Sequence, residues 1–253
     1  MRVALCAAVW ACAMFALAQD ADLILYYDYE DFDGAAAIDK SGNGRNGVVE
    51  GKVTSEQDAE RGRVALFEIG SYIDLDGENW PEELTPRSGM TVSAWVHVKA
   101  ISDQAIFNAR ASDATWLVHP EIRGDGNYRW LLRSDGGANL FDIRAGVAKA
   151  GEWVHYAGTY NGSQGALYIN GEMVGNQDAN GLIAKDWGMG ARVGYNIDNN
   201  RPFNGWMDDL NLWKRGLDEE EVRMVMEFGP LPQSVSPRGK AAVAWGGLKR
   251  IQN

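Results

Sequence analysis

The stretch "DKSGNGRNGVVE", residues 39–50, spaces its oxygen-bearing side chains like a twelve-residue calcium-binding loop. Its first, third, fifth, sixth and twelfth positions are Asp39, Ser41, Asn43, Gly44 and Glu50. A loop of that kind lies between two helices, but "ILYYDYE" before it and "GVVEGKV" after it alternate like strands. The glycines are therefore predicted to be turn residues, and Glu50 is predicted to lie in a strand.

Paired carboxylates for hydrolysis are the next chemistry that the residue types suggest. A retaining glycosidase needs two carboxyl groups about 5 Å apart, which an E-x-D-x-E spacing would place on one face of a strand. The acidic pairs "PEEL" and "DEEE" fall instead on a predicted loop and helix, and Asp208 and Asp209 are strand neighbours that point to opposite faces. The sequence predicts no catalysis. A glycoside hydrolase or polysaccharide lyase remains an alternative, because isolated acids can meet in space.

The histidines and cysteines offer no second catalytic set. His97 and His155 are predicted strand residues with structural roles, and His119, before Pro120, is predicted to be exposed at a strand end. No two histidines have the spacing of a metal site on a helix. Both cysteines lie near the N-terminus, within a stretch that is predicted to be removed.

Carbohydrate recognition is the chemistry that the aromatic and amide residues favour, since ligand sites combine aromatic faces with a few convergent polar groups. One candidate group comprises Trp187, Tyr195, Asn196, Asp198, Asn199 and Arg201. A second group, in "TWLVHPEIRGDGNYRWLLRS", offers Trp116 and Trp130. Trp187 is predicted to be exposed. Core packing is predicted for Trp95, Trp153, Trp206 and Trp213.

The N-terminus and the charge place limits on where the protein works. Residues 1–18 combine Arg2, an apolar run and an A-x-A site, and are predicted to be a secretory signal peptide. The mature chain is then secreted, extracellular or at the cell surface, without membrane insertion. A net charge of −11 argues against nucleic acid as a partner. A Pro/Ser-rich linker and basic tail is predicted over 230–253.

The elements that must position these residues are short strands. Period-2 alternation with frequent turn signals predicts an all-β antiparallel β-sandwich, a jelly roll, as one domain over 19–229. Predicted strands cover 23–30, 91–99, 104–110, 128–134, 152–160, 165–171, 191–196 and 206–213. Asn161-Gly162 and Asn170-Gly171 predict hairpins. One short C-terminal helix is predicted after Asp218, with Glu221 completing a capping box.

Four blocks in this order resemble the laminin-G-like (concanavalin A-like lectin/glucanase) jelly-roll family. "MTVSAWVHV" is similar to the family's "F-T-I-S-A-W-V" strand, and "EWVHYAGTYNGSQGALYINGEMVG" to its hairpin pair. "FNGWMDDLNLWKRGLDEEEV" resembles the closing strand and helix, and "YYDYED … DKSGNGRNG" the opening. The resemblance implies the concanavalin A-like sandwich fold.

The family resemblance also implies a metal site and a class of function. Several members hold a structural calcium where the opening loop meets the last strand, so the implied ligands are Glu30, Ser41, Asn43 and Asp208. Alternatively, Asp208 caps backbone amides of the "SGNG" turn without an ion. The predicted function is a non-catalytic recognition module that binds a polysaccharide or a cell-surface glycan. A protein-interaction or adhesion module that binds an extracellular protein is the alternative.

Overall fold

The computed structural model describes residues 20–75 and 80–230, which fold into two antiparallel sheets and one helix. The first strands are β1 (Leu23–Tyr27), β2 (Ala36–Ala37), β3 (Gly47–Glu50), β4 (Val53–Asp58), β5 (Gly62–Phe67), β6 (Tyr72–Asp74), β7 (Met90–Val98), β8 (Gln104–Ala105) and β9 (Phe107–Arg110). The others are β10 (Trp116–Ile122), β11 (Tyr128–Arg133), β12 (Asn139–Ala145), β13 (Val154–Tyr160), β14 (Gln164–Ile169), β15 (Glu172–Asp178), β16 (Gly190–Val193) and β17 (Gly205–Trp213). A 3-10 turn spans Glu82–Leu84, and α1 spans Glu219–Phe228.

The strands divide between an eight-stranded and a nine-stranded sheet. The eight-stranded sheet has the order β15-β14-β13-β7-β17-β5-β4, with β1 also paired to β17. The nine-stranded sheet has the order β12-β11-β10-β9-β16-β6-β3-β2, with β8 also paired to β10. The predicted all-β antiparallel sandwich is confirmed.

The core lies between the two sheets and is rich in aromatic side chains. Trp130 on β11 is fully buried there, and its Nε1 donates to the carbonyl of Thr159, 2.9 Å away. Gly158 makes room for this ring, because a Cβ at that position would lie 2.6 Å from it. The inner faces of both sheets are therefore closely packed around Trp130.

Helix α1 covers part of the outer face of the eight-stranded sheet. The Asp218 side chain accepts from the Glu221 backbone N–H, and the Glu221 side chain accepts from the Asp218 backbone N–H, which is the predicted capping box. Val222 and Val225 are buried in a second apolar cluster with Trp213. The helix begins and ends within one residue of the predicted caps.

The last strand departs from the predicted alternation. The sequence places Trp206, Asp208, Leu210 and Leu212 on the core face, but Met207, Leu210 and Leu212 are the residues in the core. Asp209 has a left-handed backbone (φ 49°), and the register with β7 shifts between Asp208 and Asn211. This bulge moves Asp208 to the outer face.

The ends of the chain are outside the described residues. The predicted signal peptide, 1–18, and residues 231–253 of the predicted tail both fall there. Among the described residues, no helix has the length and apolar character needed to cross a membrane.

Candidate functional site

The outer face of the nine-stranded sheet carries a buried group of charged side chains. On β10, Val118 and Ile122 point into the core, whereas His119 and Glu121 point outward. Despite facing outward, His119 is 1% exposed and Glu121 is 0% exposed. We call the group made by His119, Glu121, Arg123, Arg129 and Arg201 the Glu121 cluster.

Glu121 is surrounded by donors. Its Oε2 accepts from Arg123 Nη1 at 2.8 Å and from Arg129 Nη1 at 3.3 Å, and its Oε1 lies 2.9 Å from His119 Nδ1. Burial alone would raise the pKa of Glu121, but His119, Arg201 and Arg129 lower it to about 2. Glu121 is therefore a buried carboxylate at neutral pH.

The proton positions on His119 follow from this charge. Burial lowers the pKa of His119, and Arg129 and Arg201 add to that effect, while Glu121 opposes it. The neutral ring must donate from Nδ1, because the Glu121 carboxylate can only accept. Nε2 is then an acceptor, and it is buried without a hydrogen-bond partner among the described residues.

Trp116 reaches the outer face through an irregularity at the start of β10. The register between β9 and β10 shifts between Trp116 and Val118, and Leu117 and Val118 both enter the core. The Trp116 ring is half-buried, 5.4 Å from the His119 ring. The guanidinium groups of Arg201 and Arg110 lie 5.1 and 5.6 Å from its centroid.

The loop 195–201 closes over the same face. The Ile197 backbone N–H donates to Asn108 Oδ1 on β9 at 3.1 Å, and the Tyr195 hydroxyl donates to the Asn199 carbonyl at 3.0 Å. Asn199 (φ 57°) and Arg201 (φ 56°) both have left-handed backbones. That conformation costs roughly 1 kcal/mol or more for a residue such as Arg201, so the loop is held in a strained form that directs Arg201 toward Trp116 and Glu121.

Several polar atoms of this loop are buried with no hydrogen-bond partner among the described residues. They are Asn196 Nδ2 and Oδ1, Asp198 Oδ1, and Arg201 Nε and Nη1. Asn196 is 1% exposed. Arg201 Nη1 lies 3.3 Å from Glu121 Oε1, so the two groups attract as an ion pair although their angle does not suit a hydrogen bond. Unpaired donors and acceptors are costly where a site is closed to water, so this concentration favours a polar ligand here. We call Trp116, Arg110, His119 and residues 195–201 the Trp116 site.

Of the eight predicted ligand-binding residues, the structure brings Trp116 and Arg201 into contact, and Tyr195, Asn196, Asp198 and Asn199 belong to the same loop as Arg201. The other two are not part of this site. Trp187 is 3% exposed, so the prediction of an exposed ring is wrong; it packs against Trp80 and Phe107. Trp130 is in the core and has no face for a ligand.

Sequence reasoning missed the charged residues under Trp116. His119 was expected at an exposed strand end, but it is buried within β10. Its partner Glu121 is two residues further on the same face, and Arg129 lies on the next strand. A stricter use of alternation through "HPEI" and "YRWLLR" would have placed these side chains on one face.

The outer face of the eight-stranded sheet carries three tryptophans that were predicted to pack in the core. Trp95, Trp153 and Trp206 are half-buried on the outside of the eight-stranded sheet and do not form part of the central core. His97 lies between two of them, 5.5 Å from the Trp153 ring and 4.9 Å from the Trp206 ring. Arg61 lies over Trp95 and Trp153 at 4.2 and 5.5 Å. Through Arg61, the β4–β5 turn packs on the tryptophans of this outer face. Trp213 is buried, but beneath α1.

The four predicted calcium ligands do not converge on one point. Ser41 Oγ and Asn43 Nδ2 donate to backbone carbonyls of β1, and Asp39 accepts from the backbone of Tyr26 and Arg45. Asp208 pairs instead with Arg61, so it does not cap the "SGNG" turn either.

Glu30 lies beside Gly62, where a Cβ would come within 2.5 Å of its Oε1. Among the described residues, no three His, Cys, Asp or Glu side chains form a group that could hold a metal ion. This arrangement does not fit a calcium site made of the predicted four residues. Calcium binding by the protein stays a prediction.

Comparison with known protein families assigns the chain to a superfamily. The family model for the concanavalin A-like lectin/glucanases superfamily matches residues 68–223, which is more than half of the chain. The chain belongs to the concanavalin A-like lectin/glucanase superfamily. The predicted laminin-G-like resemblance is therefore confirmed, and the matched residues include β10, the Trp116 site and the start of α1.

The curated proteins that resemble this chain are longer than it is. Human pentraxin-related protein PTX3 is 29% identical over 132 residues, which cover 47% of this chain and 33% of that protein. The bovine PTX3 is also 29% identical, over 64% of this chain and 44% of that protein. Mouse pappalysin-1 is 26% identical over 65% of this chain but only 11% of its own length. The chain thus spans less than half of each of these relatives.

Solved structures share the fold at low identity. Domain 4 of AbnA, an extracellular arabinanase from Geobacillus stearothermophilus in complex with arabinotriose, is 22% identical with a TM-score of 0.58, over 80% of this chain and 97% of that one. The binding domain of Paraclostridial Mosquitocidal Protein 1 has a TM-score of 0.61 at 17% identity, over 81% of this chain and 52% of that one. The receptor binding domain of a botulinum neurotoxin C/D mosaic serotype has a TM-score of 0.56 at 18% identity, over 81% and 51%. At these identities the likeness concerns the fold alone.

Proposed function

We propose that this protein is an exported, non-catalytic recognition module that binds a carbohydrate at the Trp116 site. The observation that carries the proposal is the group of buried, unpaired donors and acceptors on His119 and Arg201, beside a half-buried tryptophan, and on Asn196 and Asp198 in the loop that holds Arg201. Sugar hydroxyls donate and accept at once, so they can satisfy both kinds of atom. The glycan-bound arabinanase domain of similar size and fold supports the same class of ligand.

The charges at the site favour binding over hydrolysis. A glycosidase needs one carboxyl group that is protonated near its working pH. The hydrogen bond from His119 and the charges of Arg201 and Arg129 hold the pKa of Glu121 at about 2, against the effect of burial. Burial also opposes the ionisation of Asp142, but Arg129 lowers its pKa. Both groups remain carboxylates at neutral pH, so neither can serve as a general acid.

A glycan array of the full chain tests the proposal, repeated with calcium and with a chelator. Isothermal titration with any glycan that binds should then show a loss of at least tenfold in affinity for Asn196→Ala. Asn176→Ala is the matched control, since Asn176 is exposed on the edge strand β15. Incubation of the bound glycan with the protein should release no new reducing ends.

Two results would contradict the proposed glycan site. A folded protein that recognises no glycan on the array would remove the proposal, and selective capture of one extracellular protein would then support an adhesion module. A glycan whose affinity is the same for wild type, Asn196→Ala and Trp116→Ala would move the site elsewhere on the molecule.

A further inference from the structure

Two arginines beside Trp116 have donors that no carboxylate satisfies. Arg110 Nε donates to the carbonyl of Ala114 at 3.0 Å, and Arg110 makes no ion pair within residues 20–75 and 80–230. Arg201 must share Glu121 with Arg123 and Arg129. Arg201 Nε has no hydrogen-bond partner among the described residues.

Charged side chains of both signs cover this face. Three carboxylates, those of Asp103, Glu121 and Asp142, lie within ion-pair distance of four arginines, Arg123, Arg129, Arg144 and Arg201. Of the guanidinium groups on this face, those of Arg110 and Arg201 lie 5.6 and 5.1 Å from the centroid of the Trp116 ring, on a chain whose net charge is −11.

We infer that the glycan bound at the Trp116 site carries a carboxylate, as in a uronic acid, and that Arg110 and Arg201 bind this group. The inference rests on the proposed function and names its ligand class. A guanidinium presents two parallel N–H donors that match the two oxygens of a carboxylate. Both guanidinium groups lie within 6 Å of the centroid of the Trp116 ring, which partly shields them from water.

The acidic side chains at the site favour a single carboxylate over a densely sulfated chain. Glu121 is paired with Arg201 and would repel a highly charged anion at this position. A sugar with one carboxylate meets less of this repulsion than a sugar with several sulfates. The hydrogen bond from the Ile197 backbone N–H to Asn108 already fixes the loop, which lowers the cost of ordering it on binding.

The test uses the full chain and uronic-acid oligosaccharides (galacturonate, glucuronate and mannuronate), each beside its neutral methyl ester. At least one acid form should bind ten times or more tightly than its ester, and added salt should narrow the gap. Arg110→Gln should remove most of that preference, because it should weaken binding of the acid more than binding of the ester. The change leaves no acid unpaired, so the variant should fold. Arg201→Gln should also weaken the preference for the acid form, but it removes one of the ion-pair partners of Glu121.

Arg63→Gln is the matched control, because Arg63 is exposed on β5 of the other sheet. Equal affinity for acids and esters, with both lost in Trp116→Ala, would overturn the carboxylate and keep the glycan site. Tighter binding of heparin than of every uronic-acid oligosaccharide would also overturn it. Absence of binding to any glycan would remove the proposed function together with this inference.

Discussion

Arg61 and Asp208 form an ion pair on the outer face of the eight-stranded sheet, with 2.8 Å between Nε and Oδ2. The Asp208 side chain is 1% exposed and that of Arg61 is 13% exposed. Arg61 Nη2 also lies 2.7 Å from Asp209 Oδ2. A guanidinium from the β4–β5 turn thus neutralises the acid for which the sequence predicted a calcium ion.

Removal of Arg61 should destabilise the fold more than removal of Asp208. Arg61→Met leaves the buried Asp208 carboxylate without its guanidinium, and breaking such a pair costs about 3 kcal/mol of the free energy of unfolding. Asp208→Ala should cost less, about 1–2 kcal/mol, because Arg61 keeps Asp209. Urea denaturation measures both.

The double variant isolates the pair. Arg61→Met with Asp208→Ala should cost less than the sum of the single changes, because neither charge is then left in place. Lys52→Met, in the exposed pair with Glu68, is the control and should cost well under 1 kcal/mol. Additive losses in the cycle would mean that Arg61 and Asp208 act independently.

Calcium should not stabilise the wild-type protein through Asp208, Ser41 and Asn43. The guanidinium of Arg61 already supplies the positive charge beside Asp208, and Ser41 and Asn43 are bound to the backbone of β1. Any difference in melting temperature between calcium and a chelator should therefore be the same for the wild type and for Asp208→Ala. A higher melting temperature in calcium that Asp208→Ala abolishes would return the ion to the predicted site.

Glu121 should make stability depend on pH in the acid range. The folded-state pKa of Glu121, about 2, lies below its ordinary value of 4.5. Between these values the unfolded chain binds a proton that the folded chain does not, so stability is present above about pH 4.5 and falls as the pH drops toward 2. The difference in unfolding free energy between wild type and Glu121→Gln should shrink by about 2 kcal/mol between pH 6 and pH 3.

Urea denaturation at several pH values measures that difference. Comparison with the variant cancels the contribution of His155, whose pKa burial also lowers. Glu172→Gln, on the exposed edge strand β15, is the surface control. Parallel curves for Glu121→Gln would show that the carboxylate is not held ionised by its neighbours.

Alternation and turn residues were enough to predict the sandwich and much of its order. Asn170 (φ 52°) and Gly171 (φ 78°) form the predicted tight turn between β14 and β15. Asp218 and Glu221 form the predicted cap of α1. These features depend on neighbours in the chain, so a local pattern records them.

Features that depend on distant partners were missed or misplaced. Strand β10 contains Pro120, which lowers the strand signal, although it pairs with β11 on one side. The bulge at Asp209 reversed the expected faces of the residues before it, Met207 and Asp208, whereas Leu210 and Leu212 are in the core as expected. Arg61 is far from Asp208 in sequence and reaches it only through the hairpin of β4 and β5. No periodicity reports such contacts.

Composition predicted the loop of the candidate site but not which tryptophan lies beside it. The loop 195–201 is rich in amides and aromatics, so its residues were predicted. The burial of the two tryptophans was not predicted, because Trp116 and Trp130 lie in similar sequence settings. A register shift turns Trp116 outward, whereas Gly158 on β13 makes an inner cavity for Trp130. The first cause lies in the pairing of β10 with β9 and the second in β13, so neither is visible in the local sequence pattern.

That pair of tryptophans gives a final prediction. Trp116→Ala should cost only about 1 kcal/mol of stability, since the ring is half-buried at the surface, and should lower the affinity for the bound glycan at least tenfold. Trp130→Ala removes a fully buried ring and should cost about 3–5 kcal/mol. Urea denaturation and isothermal titration measure the two effects separately. Near-normal glycan affinity in folded Trp116→Ala, or a loss of affinity in Trp130→Ala that is not explained by unfolding, would contradict the assignment of Trp116 to the site and of Trp130 to the core.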